Sequence, residues 1–328
     1  MTKNLILGLG AKCMIKKKKR ILLVIPKFFN YEKNIKKHFE LMGYDVDLII
    51  DETPFRTILC NYIPYMKLFF GFYVENKIKK LITKNDYTSC LVIKGSSLSL
   101  KALTIIESHI KNRYLYQWDS LSNYPYQTML LYFNHVLTFD ISDSKHLNLE
   151  YYPLFSMIEN DRKELSRNID ILFIGSFHSD RYKVLKEILC QYKDLNIYFY
   201  LYIPFLSYIK RIFKGEKILL SDIRFFKIKP EKLSCFYNNS KCVLDIEAYH
   251  QTGFTMRTLE ALYCGCKLIT TNDNIYTADF FDKKIISVID RNDVLLDKSF
   301  IFNDENVEDN KILQVKNLKE WVVRFADD

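Results

Sequence analysis

Short apolar runs alternate with amphipathic segments along most of this chain, and this alternation restricts the fold more than any other feature. Runs such as RILLVIP (20–26), SCLVIKG (89–95) and IDILFIGS (169–176) are continuous and mostly aliphatic. Such runs are typical of parallel strands that helices cover on both faces. Because helical patterns separate them, the sequence predicts an α/β fold with open, mostly parallel sheets.

The alternation stops once, near residues 155–168, and then restarts. A length of 328 residues is also about twice that of an ordinary domain. We therefore predict two Rossmann-like, doubly wound domains, over residues 19–155 and 156–328, with a helix at the C-terminus and residues 1–18 as an N-terminal extension. Ligands bind at the carboxyl ends of the strands in such sheets, so the cleft between the domains is the expected site.

The net charge of +9 lies entirely in the first half of the chain. Residues 1–155 contain 22 Lys and Arg against 13 Asp and Glu, whereas residues 156–328 contain 26 of each. A basic domain suits anionic lipid head groups, an anionic saccharide or a nucleic acid. The alternative is a lysine-rich composition without a specific partner, because most of the excess is lysine.

Lysines and aromatic residues are concentrated in residues 55–80, and residues 205–215 form a basic amphipathic segment. Such stretches can lie on an anionic membrane surface. The alternative is core aromatics with solvated lysines. No segment reaches the roughly 18–20 apolar residues that a membrane span needs, and the eight cysteines lack zinc-like spacing, so we expect reduced cysteines in a cytoplasmic protein.

The segment VLDIEAYHQTGFTMRTLEAL (243–262) reads as a strand, a loop and a helix, so its loop lies at the carboxyl end of the strand. Gly253 would let the backbone approach a ligand closely. The amides of Phe254 and Thr255 would point outward from the helix start, where unpaired N–H groups and the helix dipole attract phosphate. The segment therefore predicts a phosphate site.

Two charged side chains extend this predicted site along the helix. Arg257 adds a planar fork suited to phosphate oxygens. Glu260 lies roughly 5 Å further along the axis, where it suits the diol of a ribose beside a diphosphate. The loop residues Gln251 and Thr252 belong to the same site. The alternative is a solvated Arg257–Glu260 ion pair, which would contribute only about 0.2–0.5 kcal/mol.

A second strand-to-helix turn has a similar composition. In LFIGSFHSDRYKVL (172–185), Gly175 and Ser176 end the strand and Arg181 opens the helix, which predicts a second phosphate contact. An ordinary strand-to-helix turn is the alternative. The backbone around Lys229, after the predicted strand IRFFKIK (223–229), could line a nucleotide base.

Three segments together resemble one known family. ILFIGSFHSDR, the block from residue 241 to residue 272, and YQWDSLSNYP resemble the GT-B glycosyltransferases of bacterial lipopolysaccharide and capsule synthesis, especially lipopolysaccharide-core and spore-maturation-type transferases. The resemblance implies that the second domain binds a nucleotide-diphospho-sugar donor, with no further cofactor, and that the first binds the acceptor. Retaining members often carry Glu-x7-Glu, but Thr252 stands eight residues before Glu260, so retention and inversion both stay open.

This resemblance also assigns roles to the donor-site residues. Gly253, Phe254 and Thr255 would cradle the diphosphate, Arg257 would neutralise it, and Glu260 would bind the ribose. The implied activity is that of a Leloir-type enzyme that acts on a lipopolysaccharide-core, capsule or other cell-surface saccharide, at the cytoplasmic face of the inner membrane. A catalytically inactive scaffold and a nucleic-acid-binding protein are the competing interpretations.

Two residues are candidates for proton transfer. Asp119 follows a predicted strand, where a carboxylate could act as general base toward an acceptor hydroxyl. The alternative is that Asp119 caps the next turn through Ser120 or Ser122. His250 could act as an acid near the donor, or be an ordinary loop histidine.

A metal is not expected. Asp45 and Asp47 match the DxD spelling of metal-dependent transferases, but they stand before a strand rather than after one and are better explained as a strand cap. Asp140 and Asp143 are interpreted as turn residues. A diphosphate held by helix amides and Arg257 needs no metal, because fixed dipoles and charge stabilise it as it leaves.

Overall fold

The computed structural model describes residues 19–28, 30–158, 167–249, 251–303, 305 and 315–326. These residues form two six-stranded sheets. Numbered along the chain, the strands lie side by side in the order 2-1-3-4-5-6 in the first sheet and 12-11-10-7-8-9 in the second. All pairings within both sheets are parallel. The predicted α/β class with two doubly wound sheets is confirmed. The predicted extension, 1–18, and His250 lie outside the described residues.

The first domain contains six strands and five α-helices. The strands are β1 (Arg20–Ile25), β2 (Asp45–Ile50), β3 (Ser89–Ile93), β4 (Asn112–Gln117), β5 (His135–Thr138) and β6 (Glu150–Tyr151). The helices are α1 (Tyr31–Leu41), α2 (Pro54–Tyr62), α3 (Met66–Ile82), α4 (Leu100–His109) and α5 (Ile141–Leu147), with a 3-10 helix over Gln127–Tyr132.

The second domain repeats this arrangement. Its strands are β7 (Ile169–Ser176), β8 (Ile197–Tyr202), β9 (Ile223–Arg224), β10 (Ser240–Asp245), β11 (Lys267–Thr270) and β12 (Ile286–Val288). Its helices are α6 (Ser179–Gln191), α7 (Phe205–Phe213), α8 (Pro230–Asn238), α9 (Met256–Tyr263) and α10 (Lys298–Phe302), with 3-10 helices over Leu220–Asp222 and Asp273–Thr277.

Burial explains why the apolar runs form central strands. Every residue of β3 and all but the first of β1 are buried, as expected when helices cover both faces.

The predicted strand 223–229 is much shorter in the structure, because β9 lies at the sheet edge and pairs with β8 only through Ile223 and Arg224. Phe226, within the predicted run, is exposed.

The C-terminal helix α11 (Leu318–Val323) follows the second domain in sequence but packs on the first. The Trp321 ring is fully buried, with its centroid 4.7 Å from that of Phe155. Its indole N–H donates to the carbonyl of Pro153, 3.2 Å away, and Tyr152 donates to the Trp321 carbonyl at 3.1 Å. This helix therefore ties the end of the chain to the first domain.

Candidate functional site

Two adjoining cavities lie at the carboxyl ends of the strands, where the domains meet. The first-domain cavity has a volume of about 310 Å³ and the second-domain cavity about 320 Å³. Phe28, Tyr31 and Met256 line both cavities, so a molecule in one would lie next to a molecule in the other. Seven of the eleven predicted donor residues line the second-domain cavity: Gly175, Ser176, Arg181, Gln251, Thr255, Arg257 and Glu260.

Arg257 is held rigidly at the wall of the second-domain cavity. Its Nε donates to the Ile174 carbonyl at 2.8 Å, and its Nη1 pairs with Asp245 at the end of β10. The guanidinium carbon lies 4.6 Å from the centroid of the Phe173 ring. Only 11% of the Arg257 side chain is exposed. Because Nε and Nη1 are engaged, Nη2 is the nitrogen available to a ligand.

The start of α9 is fixed by the same carboxylate. Asp245 also accepts from the hydroxyls of Thr255, at 2.8 Å, and of Thr258. The Thr255 hydroxyl in turn accepts from the N–H groups of Arg257 and Thr258 as the helix N-cap. In the described part of the chain, the N–H groups of Phe254, Thr255 and Met256 have no acceptor. Thr255 and Met256 line the second-domain cavity and Phe254 does not, so the N–H groups of Thr255 and Met256 are the donors left for a ligand.

Gly175 creates the space for the guanidinium. A Cβ atom at this position would lie 2.6 Å from Arg257 Nη2 and 2.9 Å from the Phe173 ring. A second buried guanidinium lies close by, since Arg181 Nη1 donates to the Ser176 carbonyl at 2.7 Å and its Nε donates to Ile246 at 2.9 Å. The site therefore concentrates positive charge at the end of β7.

The electrostatics of Arg181 agree with a site for an anion. Burial and, to a smaller extent, the neighbouring Arg257 lower the pKa of its guanidinium to about 10, whereas Asp245 and Asp180 oppose the shift. The two guanidinium groups thus repel each other, and the nearby carboxylates of Asp245 and Asp180 oppose this repulsion. An anionic ligand would relieve this repulsion, which is the electrostatic requirement for binding a diphosphate.

Glu260 is buried in the wall of the second-domain cavity. Its carboxylate accepts from the Tyr237 hydroxyl at 2.9 Å. Burial raises the pKa of Glu260 to about 7, although Tyr237 and Arg257 oppose the shift. Because Arg257 pairs with Asp245 and Glu260 is buried, the structure does not support the alternative of a solvated Arg257–Glu260 pair.

The loop before α9 has a different role from the one predicted. The N–H groups of Thr252 and Gly253 donate to the Asp140 carboxylate of the first domain, at 2.9 and 3.1 Å. A Cβ atom on Gly253 would lie 2.5 Å from the Phe139 carbonyl oxygen. The Gly253 amide is therefore occupied by the protein's own carboxylate, and the glycine permits close contact between the domains rather than with a phosphate.

The same contact changes the interpretation of several neighbours. Phe254 is buried against Phe280, with ring centroids 5.4 Å apart, and does not line the second-domain cavity. Gln251 lines the cavity while its amide donates to the Gly253 carbonyl at 2.9 Å. Asp140, interpreted from sequence as a turn residue, both caps α5 and joins the domains.

Lys227, rather than Lys229, lines the second-domain cavity. Its ammonium lies 5.4 Å from the centroid of the Phe28 ring and 5.5 Å from that of Tyr202, and burial lowers its pKa. Lys229 is exposed and immediately precedes α8. The early end of β9 explains the difference, because the loop begins at residue 225 instead of after the predicted strand.

Three charged side chains meet in the first-domain cavity. Lys94 Nζ lies 3.0 Å from the Asp119 carboxylate and 3.4 Å from the Glu52 carboxylate. Glu52 follows β2, Lys94 follows β3 and Asp119 follows β4, and the carboxyl ends of these strands meet at one edge of the sheet. Ser120 and Ser122 bond each other at 2.9 Å, whereas the described partner of the Asp119 carboxylate is Lys94, so the predicted turn cap is not what holds Asp119.

Lys94 is placed by an unusual backbone. Its φ of 64° is in the left-handed region and the following Gly95 has a φ of 74°, a conformation that costs free energy for a residue with a side chain. Burial alone would lower the pKa of Lys94, but Asp119 and Glu52 outweigh it and raise the pKa. Burial likewise opposes the charged form of Glu52, yet Lys94 and the hydroxyls of Ser96 and Thr57 lower its pKa.

The DxD-like pair does not belong to either cavity. Asp45 and Asp47 lie in β2, away from its carboxyl end, and both lie within 4.0 Å of Arg20, at 3.3 and 3.9 Å. Among the described residues, no group of three or more His, Cys, Asp or Glu side chains is arranged to hold a metal ion.

None of the described helices is long and apolar enough to span a bilayer.

Glu260 gives the stability of the protein a specific pH dependence. Between its ordinary pKa of 4.5 and its folded-state pKa of about 7, the folded protein binds more protons at Glu260 than the unfolded chain does. The free energy of unfolding is therefore expected to fall as the pH rises through this window, by about 3 kcal/mol in total. Thermal unfolding at pH values between 5 and 8 would measure it.

Glu260→Gln provides the matched control for this measurement, because glutamine has the shape of the protonated carboxyl and does not titrate. Asp51, whose pKa burial raises to about 6, titrates in both proteins and cancels in the comparison. We expect a smaller loss of stability with rising pH in the variant. Identical pH profiles would show that folding does not raise the pKa of Glu260.

Comparisons with known proteins bear on the fold. No protein-family profile matches the chain, and no curated protein sequence does. Among solved structures, a sucrose-phosphate synthase from Thermosynechococcus elongatus has a TM-score of 0.60 at 14% identity, covering 94% of this chain and 97% of that chain. The apo form of the lipopolysaccharide outer core galactosyltransferase WaaB has a TM-score of 0.50 at 12% identity, covering 94% and 96%.

A structure described as a UDP-N-acetylglucosamine 2-epimerase from Listeria monocytogenes is also similar, with a TM-score of 0.53 at 10% identity and 94% of each chain covered. Transferases and an epimerase thus share this architecture, and at such identities the likeness concerns the fold alone. The near-complete coverage includes both domains. The chain has the GT-B fold.

Proposed function

We propose that the chain is a glycosyltransferase that moves a sugar from a nucleotide-diphospho-sugar to a saccharide acceptor. The observation that carries the proposal is the pair of adjoining cavities, one with two guanidinium groups and the other with two carboxylates. Structures of an alpha-glucosyltransferase in complex with UDP and of S. aureus MnaA with UDP share this fold, each with a TM-score of 0.54. The chemistry of the two cavities suits a donor in the second domain and an acceptor in the first.

In the proposed donor complex, the diphosphate lies against Arg257 Nη2 and the N–H groups of Thr255 and Met256. Gly175 keeps this position open, and Arg181 adds positive charge behind it. These groups would stabilise the negative charge that develops on the diphosphate as the sugar bond breaks. No metal is required for that step, and Glu260 lies where a ribose hydroxyl could bind.

In the proposed transfer step, Asp119 accepts the proton of the acceptor hydroxyl. The oxygen of that hydroxyl bonds at the same time to the anomeric carbon of the sugar. The bond from that carbon to the diphosphate breaks, and the nucleoside diphosphate leaves with the electron pair. Lys94 pairs with Asp119 and fixes its position. We propose a lipopolysaccharide-core, capsule or other cell-surface saccharide as the acceptor, at the cytoplasmic face of the inner membrane.

A donor-hydrolysis screen tests the proposed function. The purified chain is incubated with UDP-, GDP-, CDP-, ADP- and dTDP-linked sugars, with and without added EDTA. We expect release of the nucleoside diphosphate from at least one donor, unaffected by EDTA. Failure to release or bind any nucleoside diphosphate would refute the proposal, and conversion of the sugar while still attached to its nucleotide would indicate an epimerase.

A further inference from the structure

Helix α7 is strongly amphipathic, yet it contains no buried residue. An amphipathic helix of a globular protein normally buries its apolar face against the core. Here Phe205, Leu206, Ile212 and Phe213 are exposed, Phe213 by 87%. Phe205 and Tyr208 contact the Phe225 ring, but the rest of the apolar face of α7 is directed outward, which is typical of a helix that lies in a membrane interface.

The helical hairpin α2–α3 of the first domain has the same property. Its exposed apolar side chains are Phe55, Tyr62, Ile63, Tyr65, Leu68, Phe69, Phe72 and Tyr73. Contiguous apolar patches of this kind are uncommon on monomeric proteins unless they bind something. This hairpin and α7 together are called the outer helical face below.

The two parts of the outer helical face are contiguous across the domains. Lys210 of α7 places its ammonium 5.5 Å from the centroid of the Tyr62 ring, at the end of α2. Both partners are exposed. A flat partner that contacted α7 would therefore also contact the α2–α3 hairpin.

The charge of this face selects the kind of partner. Residues 54–82 contain five Lys and Arg against one Glu, and residues 205–217 contain four against one. Lys67, Lys214 and Lys217 are exposed beside the apolar side chains. A second copy of the chain would bring like charges together across a symmetric interface, which is unfavourable. A surface of negative charge with an apolar interior satisfies both features.

We infer that the outer helical face docks the protein on an anionic phospholipid bilayer, with apolar side chains of α2, α3 and α7 inserted among the head groups. The lysines contact the lipid phosphates, and both domains take part. Helix α2 also connects this face to the site, because Pro54 and Thr57 of its first turns line the first-domain cavity. If the proposed function holds, an acceptor anchored in the bilayer would reach Asp119 along α2.

Vesicle binding by the full chain tests the inference. The probes are vesicles of phosphatidylglycerol mixed with phosphatidylcholine, and vesicles of phosphatidylcholine alone. We expect binding to the anionic vesicles. Phe213→Ser should lower the partition coefficient by about tenfold or more, because it removes an apolar side chain that is buried among the lipids in the bound state. The matched control is Leu131→Ser, an 88% exposed residue outside the outer helical face, which should bind normally.

The charge contribution has its own pair of variants. Lys214→Glu combined with Lys217→Glu should remove most of the preference for anionic vesicles, whereas Lys111→Glu, a change at an exposed residue outside α2, α3 and α7, should not. Equal binding by all variants, or no binding by the unaltered chain, would overturn the inference. The inference would also be overturned if light scattering showed that the chain is a dimer and that Phe213→Ser dissociates it. Nucleotide binding in solution, measured in parallel, should be unchanged in every variant, so its absence would count against the proposed function alone.

Discussion

Asp119→Asn is expected to lower the turnover number for sugar transfer by about 10²–10⁴-fold, the usual contribution of a general base. Binding of the nucleoside diphosphate should be unchanged, because Asp119 lies in the first-domain cavity and not against the guanidinium groups. The variant should also fold normally, since 37% of the Asp119 side chain is exposed and its ion pair with Lys94 is partly solvated. Steady-state kinetics with the donor found by the hydrolysis screen would measure the effect.

Glu52→Gln is the informative comparison for Asp119→Asn. Glu52 is also paired with Lys94, but Ser96 and Thr57 donate to its carboxylate as well, and its side chain is only 20% exposed. Its lone pairs are therefore largely used, and we expect a smaller loss of turnover than for Asp119→Asn. A larger loss for Glu52→Gln would transfer the role of base to Glu52, and full activity of Asp119→Asn would refute its assignment.

Arg257→Ala is expected to produce the second large effect, on two separate quantities. The affinity for a nucleoside diphosphate should fall by about 10- to 100-fold, because a charge-assisted hydrogen bond to phosphate is lost. The free energy of unfolding should also fall by about 3–5 kcal/mol, because Asp245, 1% exposed, would be left as a buried charge without its ionic partner. Calorimetric titration and chemical denaturation measure the two quantities.

A double variant separates binding from stability at Arg257. Adding Asp245→Asn to Arg257→Ala removes the uncompensated charge, and Thr255 and Thr258 can still donate to the amide oxygen. We expect much of the lost stability to return while the nucleotide affinity stays low. Recovery of affinity together with stability would mean that Arg257 only supports the fold.

The sequence predicted the fold well because a parallel strand and an amphipathic helix each have a local signature. The continuous apolar runs of β1, β3 and β7 can be recognised from adjacent residues alone, and burial of these strands on both faces explains them. The placement of α11 could not be predicted in this way. Its contacts with Tyr152 and Pro153 join residues more than 160 positions apart, and nothing near Trp321 in the sequence specifies them.

The site was predicted in part for the same reason. Arg257, Gly175 and Arg181 lie at strand ends or helix starts, which local patterns locate. Asp245, the partner of Arg257, could also have been noticed, because a carboxylate at the end of the apolar run CVLD needs a partner. The sequence alone does not show which cation pairs with it. The pairing of Asp140 with the Gly253 amide arises only when the two domains meet.

Glu52 and Lys94 were missed because each looks ordinary in its own segment. They follow different strands, β2 and β3, and the sheet order brings them to Asp119 after β4. The left-handed backbone of Lys94 before Gly95 is also invisible in a residue pattern. Clusters built from three strand ends therefore need the topology as well as the sequence.

A crystal structure of the chain with a bound nucleoside diphosphate tests the central claim most directly. We expect phosphate oxygens within about 3 Å of Arg257 Nη2 and of the backbone nitrogens of Thr255 and Met256. A nucleotide bound at another surface, with the guanidinium of Arg257 touching only Ile174 and Asp245, would contradict the account.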